Sequence, residues 1–221
     1  MRFGRKSASS GDEVSPEHED GAGGPSAEAT ESAVGPFDAS EVDTEDHPGI
    51  DLGSLLVTPV GDMEMQLQVE EESGEVIAVV LVGEEGALEL RAFAASRGGG
   101  AWDELRPRIS SEMARLGGTS DEKQGSFGTE LLCMVPVQTP EGQAATQASR
   151  IVAHEGPAWL LRATIMGPAA QDDALGAPFE ETVRQVVVRR GRGAMPPGAP
   201  LRLTLPHDAQ PIVPEPGVEE I

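Results

Sequence analysis

Residues 63–70 alternate without a break. Met63, Met65, Leu67 and Val69 fall on one side and Glu64, Gln66, Gln68 and Glu70 on the other. A period of two belongs to a strand with one buried face. Val76–Val82 is a continuous apolar run rich in valine, the pattern of a strand covered on both faces. Leu88–Ala94 alternates again, with Leu88, Leu90 and Ala92 on one side. Glu71–Glu75 and Gly83–Gly86 are turn sequences, so these three segments are predicted to form an antiparallel meander.

Beyond Gly98–Gly100 the period changes. Trp102, Leu105, Ile109, Met113 and Leu116 recur every three or four residues, one face of an amphipathic helix that Gly117-Gly118 would end. Pro107 inside it predicts a kink or a late start, because proline removes one helical hydrogen bond and clashes with the preceding turn. Thr119–Ser126, Gly128–Val135, Ala148–His154 and Ala158–Met166 read as four more strands, the last two joined through Gly156-Pro157. Leu175, Phe179, Val183 and Val186 mark a second helix. Pro178 lies near its start, Arg184, Arg189 and Arg190 load its C-terminal half, and Gly191 ends it. Leu201–Leu205 is a candidate last edge strand.

Strands in hairpin-linked blocks, with helices between the blocks, predict an α+β fold. The expectation is a mostly antiparallel sheet of six to seven strands packed with two amphipathic helices. Residues 49–206 form the expected single domain, long enough to bury most of its apolar surface without a metal or disulfide. Residues 1–48 are Ser, Gly, Pro, Ala, Asp and Glu with few large apolar side chains, and residues 1–50 hold 12 acidic and 3 basic residues. Such a leader cannot offset its ordering entropy by burial, so it is expected to be disordered and dispensable for folding. Residues 207–221 are expected to be a flexible proline-rich tail.

Charge narrows the function classes. A net charge of −22 disfavours a general nucleic-acid binder or a protein that adheres to anionic membranes. Only Arg184–Arg192 offers a cationic face for nucleic acid. The apolar runs are too short for a spanning helix. After Arg2, Arg5 and Lys6 the chain turns polar rather than apolar, unlike a secretory signal, so a cytoplasmic location is expected.

No motif announces a catalyst or a cofactor. There is no phosphate-binding loop, and Gly125-Ser-Phe-Gly128 lacks the spacing of a nucleophile elbow. Cys133, the one cysteine, lies in the apolar run Leu131–Val135 and is expected in the core. His154 has no partner at metal-ligand spacing. The residues with two readings are Trp159, Arg162, Arg189, Arg190 and Arg192. Trp159 is either a core aromatic or part of a binding face. Arg162, on the opposite side of the same strand, either pairs with a carboxylate or meets a ligand. Arg189, Arg190 and Arg192 form a basic island in an acidic chain, either a helix end answering its dipole or an anion contact.

The motifs Trp102–Arg106, Pro157–Arg162 and Val186–Arg189 followed by Met195-Pro-Pro197 resemble those of the actinobacterial proteins grouped as domain of unknown function 3710. The resemblance covers residues 50–206 and the charged leader. It implies a cytoplasmic protein and carries over no catalytic or binding residue. The element order also resembles the PsbP-like α/β/α sandwiches, mostly binding or assembly modules. The resulting expectation is a non-enzymatic domain that binds another protein. The alternative is a small-molecule or anion-binding domain, or an enzyme with an unfamiliar site, in which Arg150, Arg162 and nearby carboxylates converge on a pocket.

Overall fold

The computed structural model describes residues 35–45, 47–70, 73–139 and 142–205. In chain order the strands and helices are β1 (Phe37–Asp38), β2 (Ile50–Asp51), β3 (Leu55–Val57), β4 (Glu64–Val69), β5 (Val76–Gly83), β6 (Gly86–Ala94), α1 (Ala101–Arg115), β7 (Thr119–Gly125), β8 (Gly128–Gln138), β9 (Ala144–Gly156), β10 (Trp159–Met166), α2 (Asp173–Arg184) and β11 (Val187–Val188). The meander β4-β5-β6 and the meander β7-β8-β9-β10 join edge to edge through an antiparallel β6–β10 pair. The result is a seven-stranded sheet of order β4-β5-β6-β10-β9-β8-β7, antiparallel at every pair.

Alternate residues of the central strands feed two different cores. Leu88, Leu90, Val152, Trp159, Leu161, Ala163 and Ile165 pack on one side with Phe179 and Val183 of α2. Leu131, Cys133, Ile151, Ala153 and Leu160 pack on the other with Trp102, Leu105, Ile109 and Met113 of α1. The two helices therefore cover opposite faces, which explains why β8, β9 and β10 carry apolar residues on both sides. The fold is α+β, as the pattern predicts.

α1 begins at Ala101, ahead of Pro107 rather than after it. Two bonds fix its first turn to the sheet. The Trp102 amide donates to Glu155 Oε1 (2.8 Å) and its indole Nε1 to the Thr129 carbonyl (2.6 Å). A carboxylate at a helix N-terminus satisfies free amides and suits the dipole, and Gly100 offers no side chain to do so. α2 has its own cap: Asp172 accepts from the amides of Ala174 (2.8 Å) and Leu175 (3.3 Å).

Two expectations are corrected here. The second helix stops at Arg184, and Val187–Val188 leave it as a strand. A run of β-branched valines stiff at χ1 favours extended backbone, and here it finds partners. β11 lies between β1, parallel, and β3, antiparallel, in a small sheet of order β1-β11-β3-β2 on the α2 side. Arg189 and Arg190 consequently sit beyond a strand and answer no helix dipole. Leu201–Leu205 is not a full edge strand either; it makes isolated bridges from Leu203 to Gly53 and Val76. Just before it, the Ala199 carbonyl accepts from the Ala94 amide, and Leu201 donates to Ala92 (2.8 Å each). This strap occupies the side of β6 that β5 vacates.

The small sheet also draws in residues that precede position 49. Residues 1–34 and 206–221 lie outside the described residues. Phe37–Asp38, placed in the leader by composition, are the edge strand of the small sheet. Two residues suffice because Asp38 Oδ2 accepts from the buried Trp159 indole at 2.6 Å. Truncation is expected to separate the two parts. Removal of residues 1–34 leaves the thermal midpoint unchanged. Removal of residues 1–48 strips that acceptor from a buried donor, an expected loss of about 1–3 kcal/mol measurable by denaturant unfolding.

Candidate binding cleft

Helix α1 covers the β7-β8-β9 part of its face and leaves β4, β5 and β6 bare. On that bare part Gln66, Gln68, Val82, Glu89 and Arg91 face outward, and Val82 is exposed. Where bare and covered parts meet, a cleft of about 370 Å³ opens. Phe93 to Ser96 of β6 and its exit form one wall, the strap residues Pro197 and Gly198 another, and Ala101, Glu104, Leu105 and Arg108 of α1 the third. Leu160 and Arg162 of β10 line its sheet side. The lining is thus part apolar and part cationic, with Glu104 as its acid.

Arg162 is held rather than free. Its Nη2 donates to Glu89 Oε1 at 3.1 Å, and its guanidinium lies 5.6 Å from the Phe93 ring centroid. Glu89 also accepts from Arg91 Nη2 at 3.2 Å, and Arg91 reaches Gln68 Oε1 at 3.0 Å. Two guanidiniums share one carboxylate. Burial lowers the Arg162 pKa, Glu89 opposes that, and Arg91 adds to it. Among the described residues the buried Arg162 Nε has no hydrogen-bond partner, and Arg108 forms no ion pair.

The other sequence-selected residues scatter. Trp159 is fully buried on the α2 side, with the His154 ring 5.9 Å away. A Cβ at Gly156 would collide with its ring, so glycine there makes room for the indole. Burial also lowers the His154 pKa, against the pull of Glu41 and Glu155. Arg189 donates to both Asp51 oxygens (3.1 Å) and to the Gly53 carbonyl (2.8 Å). Arg190 donates from Nε to Ala158 O (3.0 Å) and from Nη1 to Gly193 O (3.0 Å). These two arginines tie the end of β11 to β2 and to the β9–β10 turn. Arg192 is exposed. Cys133 is fully buried and burial, with Asp121 nearby, raises its pKa, which is the reverse of what a nucleophilic thiolate needs.

Arg150 and Arg162 do not converge. They project from opposite faces of the sheet, a consequence of strand alternation on neighbouring strands. Arg150 instead anchors a buried ionic cluster under α2. Its Nη1 lies 2.8 Å from Glu180 Oε1, 3.4 Å from Asp173 Oδ1 and 3.7 Å from Glu130 Oε2. Burial raises the Glu130 pKa, and Arg150 counteracts it. Gly176 lets the guanidinium lie against α2, since a Cβ there would strike Arg150 Nη2. Sequence patterning gave no sign of this cluster. A lone Glu130 on β8 and the one arginine of β9, Arg150, look solvent-facing until α2 is laid over them.

Among the described residues no three His, Cys, Asp or Glu side chains gather as a metal site, and no helix is long and apolar enough to cross a membrane. A model of the family described as "Protein of unknown function (DUF3710)" matches residues 35–211. No curated protein matches the sequence. Among solved structures, one from Bacteroides thetaiotaomicron VPI-5482 is 14% identical, with a TM-score of 0.34, over 66% of this chain and 52% of that one. The chain thus spans about half the length of that protein. The crystal structure of LpqN, described as involved in cell envelope biogenesis of Mycobacterium tuberculosis, is also 14% identical, with a TM-score of 0.28, over 70% of this chain and 99% of that one.

Proposed function

We propose, from the premise that this chain belongs to the DUF3710 family of proteins of unknown function, that it is a non-enzymatic module that binds another protein on the bare part of its sheet. The observation that supports this reading is the unequal cover of that face. α1 shields β7, β8 and β9, whereas Val82, Gln66, Gln68 and the Glu89–Arg91 pair of β4, β5 and β6 remain open. Rigid sheets with one open face offer a preformed docking platform whose backbone is already satisfied. The charges there are mixed, Glu64 and Glu89 against Arg91 and Arg162, which suits a partner surface that mixes polar groups of both signs with apolar ones.

The test compares full-length protein with the double variant Val82→Glu, Arg91→Glu, both as affinity baits from the source cell. Val82 is exposed, whereas Arg91 is 27% exposed and pairs with Glu89, so the thermal midpoint of the double variant is measured first and the baits are compared at a temperature where all are folded. Proteins retained by the unaltered chain and by an Arg192→Glu control, but lost by the double variant, support the reading. An identical retained set for all three baits overturns it.

A further inference from the structure

The cleft beside that face has its own chemistry, distinct from a flat docking surface. Its volume of about 370 Å³ lies within the range of small-ligand sites. Three chain-distant segments enclose it: the end of β6, the first turns of α1, and the strap at Pro197–Gly198. The strap is fastened to β6 by Gly198 N to Ala94 O (2.7 Å) and Ala94 N to Ala199 O (2.8 Å), so the wall is fixed. Phe93, Leu105 and Leu160 supply apolar lining, and Arg108 and Arg162 supply cations.

Charge decides what such a lining prefers. Two cations, Arg108 and Arg162, and one acid, Glu104, line the cleft; behind the lining Glu89 holds Arg162, and Glu155 is engaged by the Trp102 amide beside Gly99. Arg162 keeps one buried donor, Nε, without a partner. The guanidinium as a whole stays partly exposed and among the described residues donates only Nη2, to Glu89, so an anion in the cleft can accept a charge-assisted bond from its exposed part. The Phe93 ring under the guanidinium and the leucines beside it suit an apolar body attached to the anion.

We infer that this cleft is a binding site for a small organic anion, a carboxylate on an apolar body, with Arg162 and Arg108 receiving the carboxylate and Phe93, Leu105 and Leu160 receiving the body. Glu104, at the cleft's edge, disfavours more highly charged anions. The inference does not depend on the protein-docking face and uses different residues for its test.

Full-length protein is titrated with hexanoate, hexanamide and inorganic phosphate while amide resonances are followed by NMR. Hexanoate is expected to shift Ser96, Gly99, Ala101 and Gly198 to saturation with a Kd in the range of about 0.1–5 mM. Hexanamide, which keeps the body and loses the charge, and phosphate, which keeps the charge and loses the body, are each expected to bind at least about tenfold more weakly. Arg162→Met is expected to weaken hexanoate by about tenfold or more. Arg108→Gln, on the exposed side of α1 and harmless to folding, provides a second reading and is expected to weaken it by about threefold or more. No saturable shift by about 10 mM, shifts confined to Arg189–Arg192, phosphate binding as tightly as hexanoate, or unchanged affinity in Arg108→Gln would each overturn the assignment.

Discussion

Arg150→Met is expected to destabilise the domain by about 3–5 kcal/mol, the range found when one partner of a buried ion pair is removed. Arg150 is 2% exposed and Glu130 is fully buried, so solvent cannot replace the lost countercharge. Glu180, hydrogen-bonding distance away on α2, loses its shortest contact, although Arg184 at 3.0 Å still serves its other oxygen. The penalty has a pH signature. Burial already raises the Glu130 pKa above its ordinary value, so protons bind the folded state more tightly than the unfolded one. Its contribution is therefore most favourable below the ordinary carboxylate range and is lost as pH rises through the raised folded value. Without Arg150 the rise is larger. The deficit of Arg150→Met, measured by urea unfolding, should narrow as pH falls from 7 toward the ordinary glutamate range of about 4.3. Adding Glu130→Leu should recover part of the loss, a non-additivity typical of groups in one network. A deficit under about 1 kcal/mol, or one that does not change with pH, would show that the cluster is better hydrated than its burial implies.

Trp159→Ala is expected to cost about 3–5 kcal/mol. The side chain is 1% exposed and packs between the main sheet and the small sheet. Trp159→Phe separates the two parts of that cost. It keeps an aromatic body but deletes the indole donor to Asp38, for an expected loss of roughly 1–3 kcal/mol. Burial works to raise the Asp38 pKa, but hydrogen bonds from the Ser40 hydroxyl and amide and from Trp159 outweigh it, leaving the carboxyl below its ordinary value. The sign is opposite to that of Glu130. Asp38 contributes stability above the ordinary aspartate range and loses it as pH falls through the lowered value. Trp159→Phe should reduce that acid sensitivity without abolishing it, since the Ser40 bonds remain. Cys133, buried on the other face, reports the same unfolding through the rate at which a thiol reagent reaches it. A Trp159→Ala protein as stable as the parent would place the indole outside the core.

The chain's own patterning determined the seven long strands, the two helices and the α+β class. These elements are defined by local periodicity: two for Met63–Glu70, near 3.6 for Trp102–Leu116, and continuous apolarity for Val76–Val82. The same local logic placed Cys133 inside, and Trp159 on the opposite side of its strand from Arg162. It failed wherever an element was too short to show a period. β1, β2, β3 and β11 have two or three residues each, and their identity lies in who pairs with them, not in their own composition. Phe37–Asp38 looked like leader because its neighbours are polar. Only the fold brings Val187–Val188 and the Trp159 indole to it. The ionic cluster and the cleft were hidden for the same reason. Arg150, Glu130 and Glu180 come from three elements, and the cleft from β6, α1, β10 and the strap. Arg150 and Arg162 looked like candidates for one pocket in the sequence, yet the sheet sends them to opposite faces. Sequence fixes which face of its own strand a residue takes. Which strands become neighbours, and which helix covers each face, is decided by burying all the apolar stripes at once, and sites assembled across elements exist only after that choice.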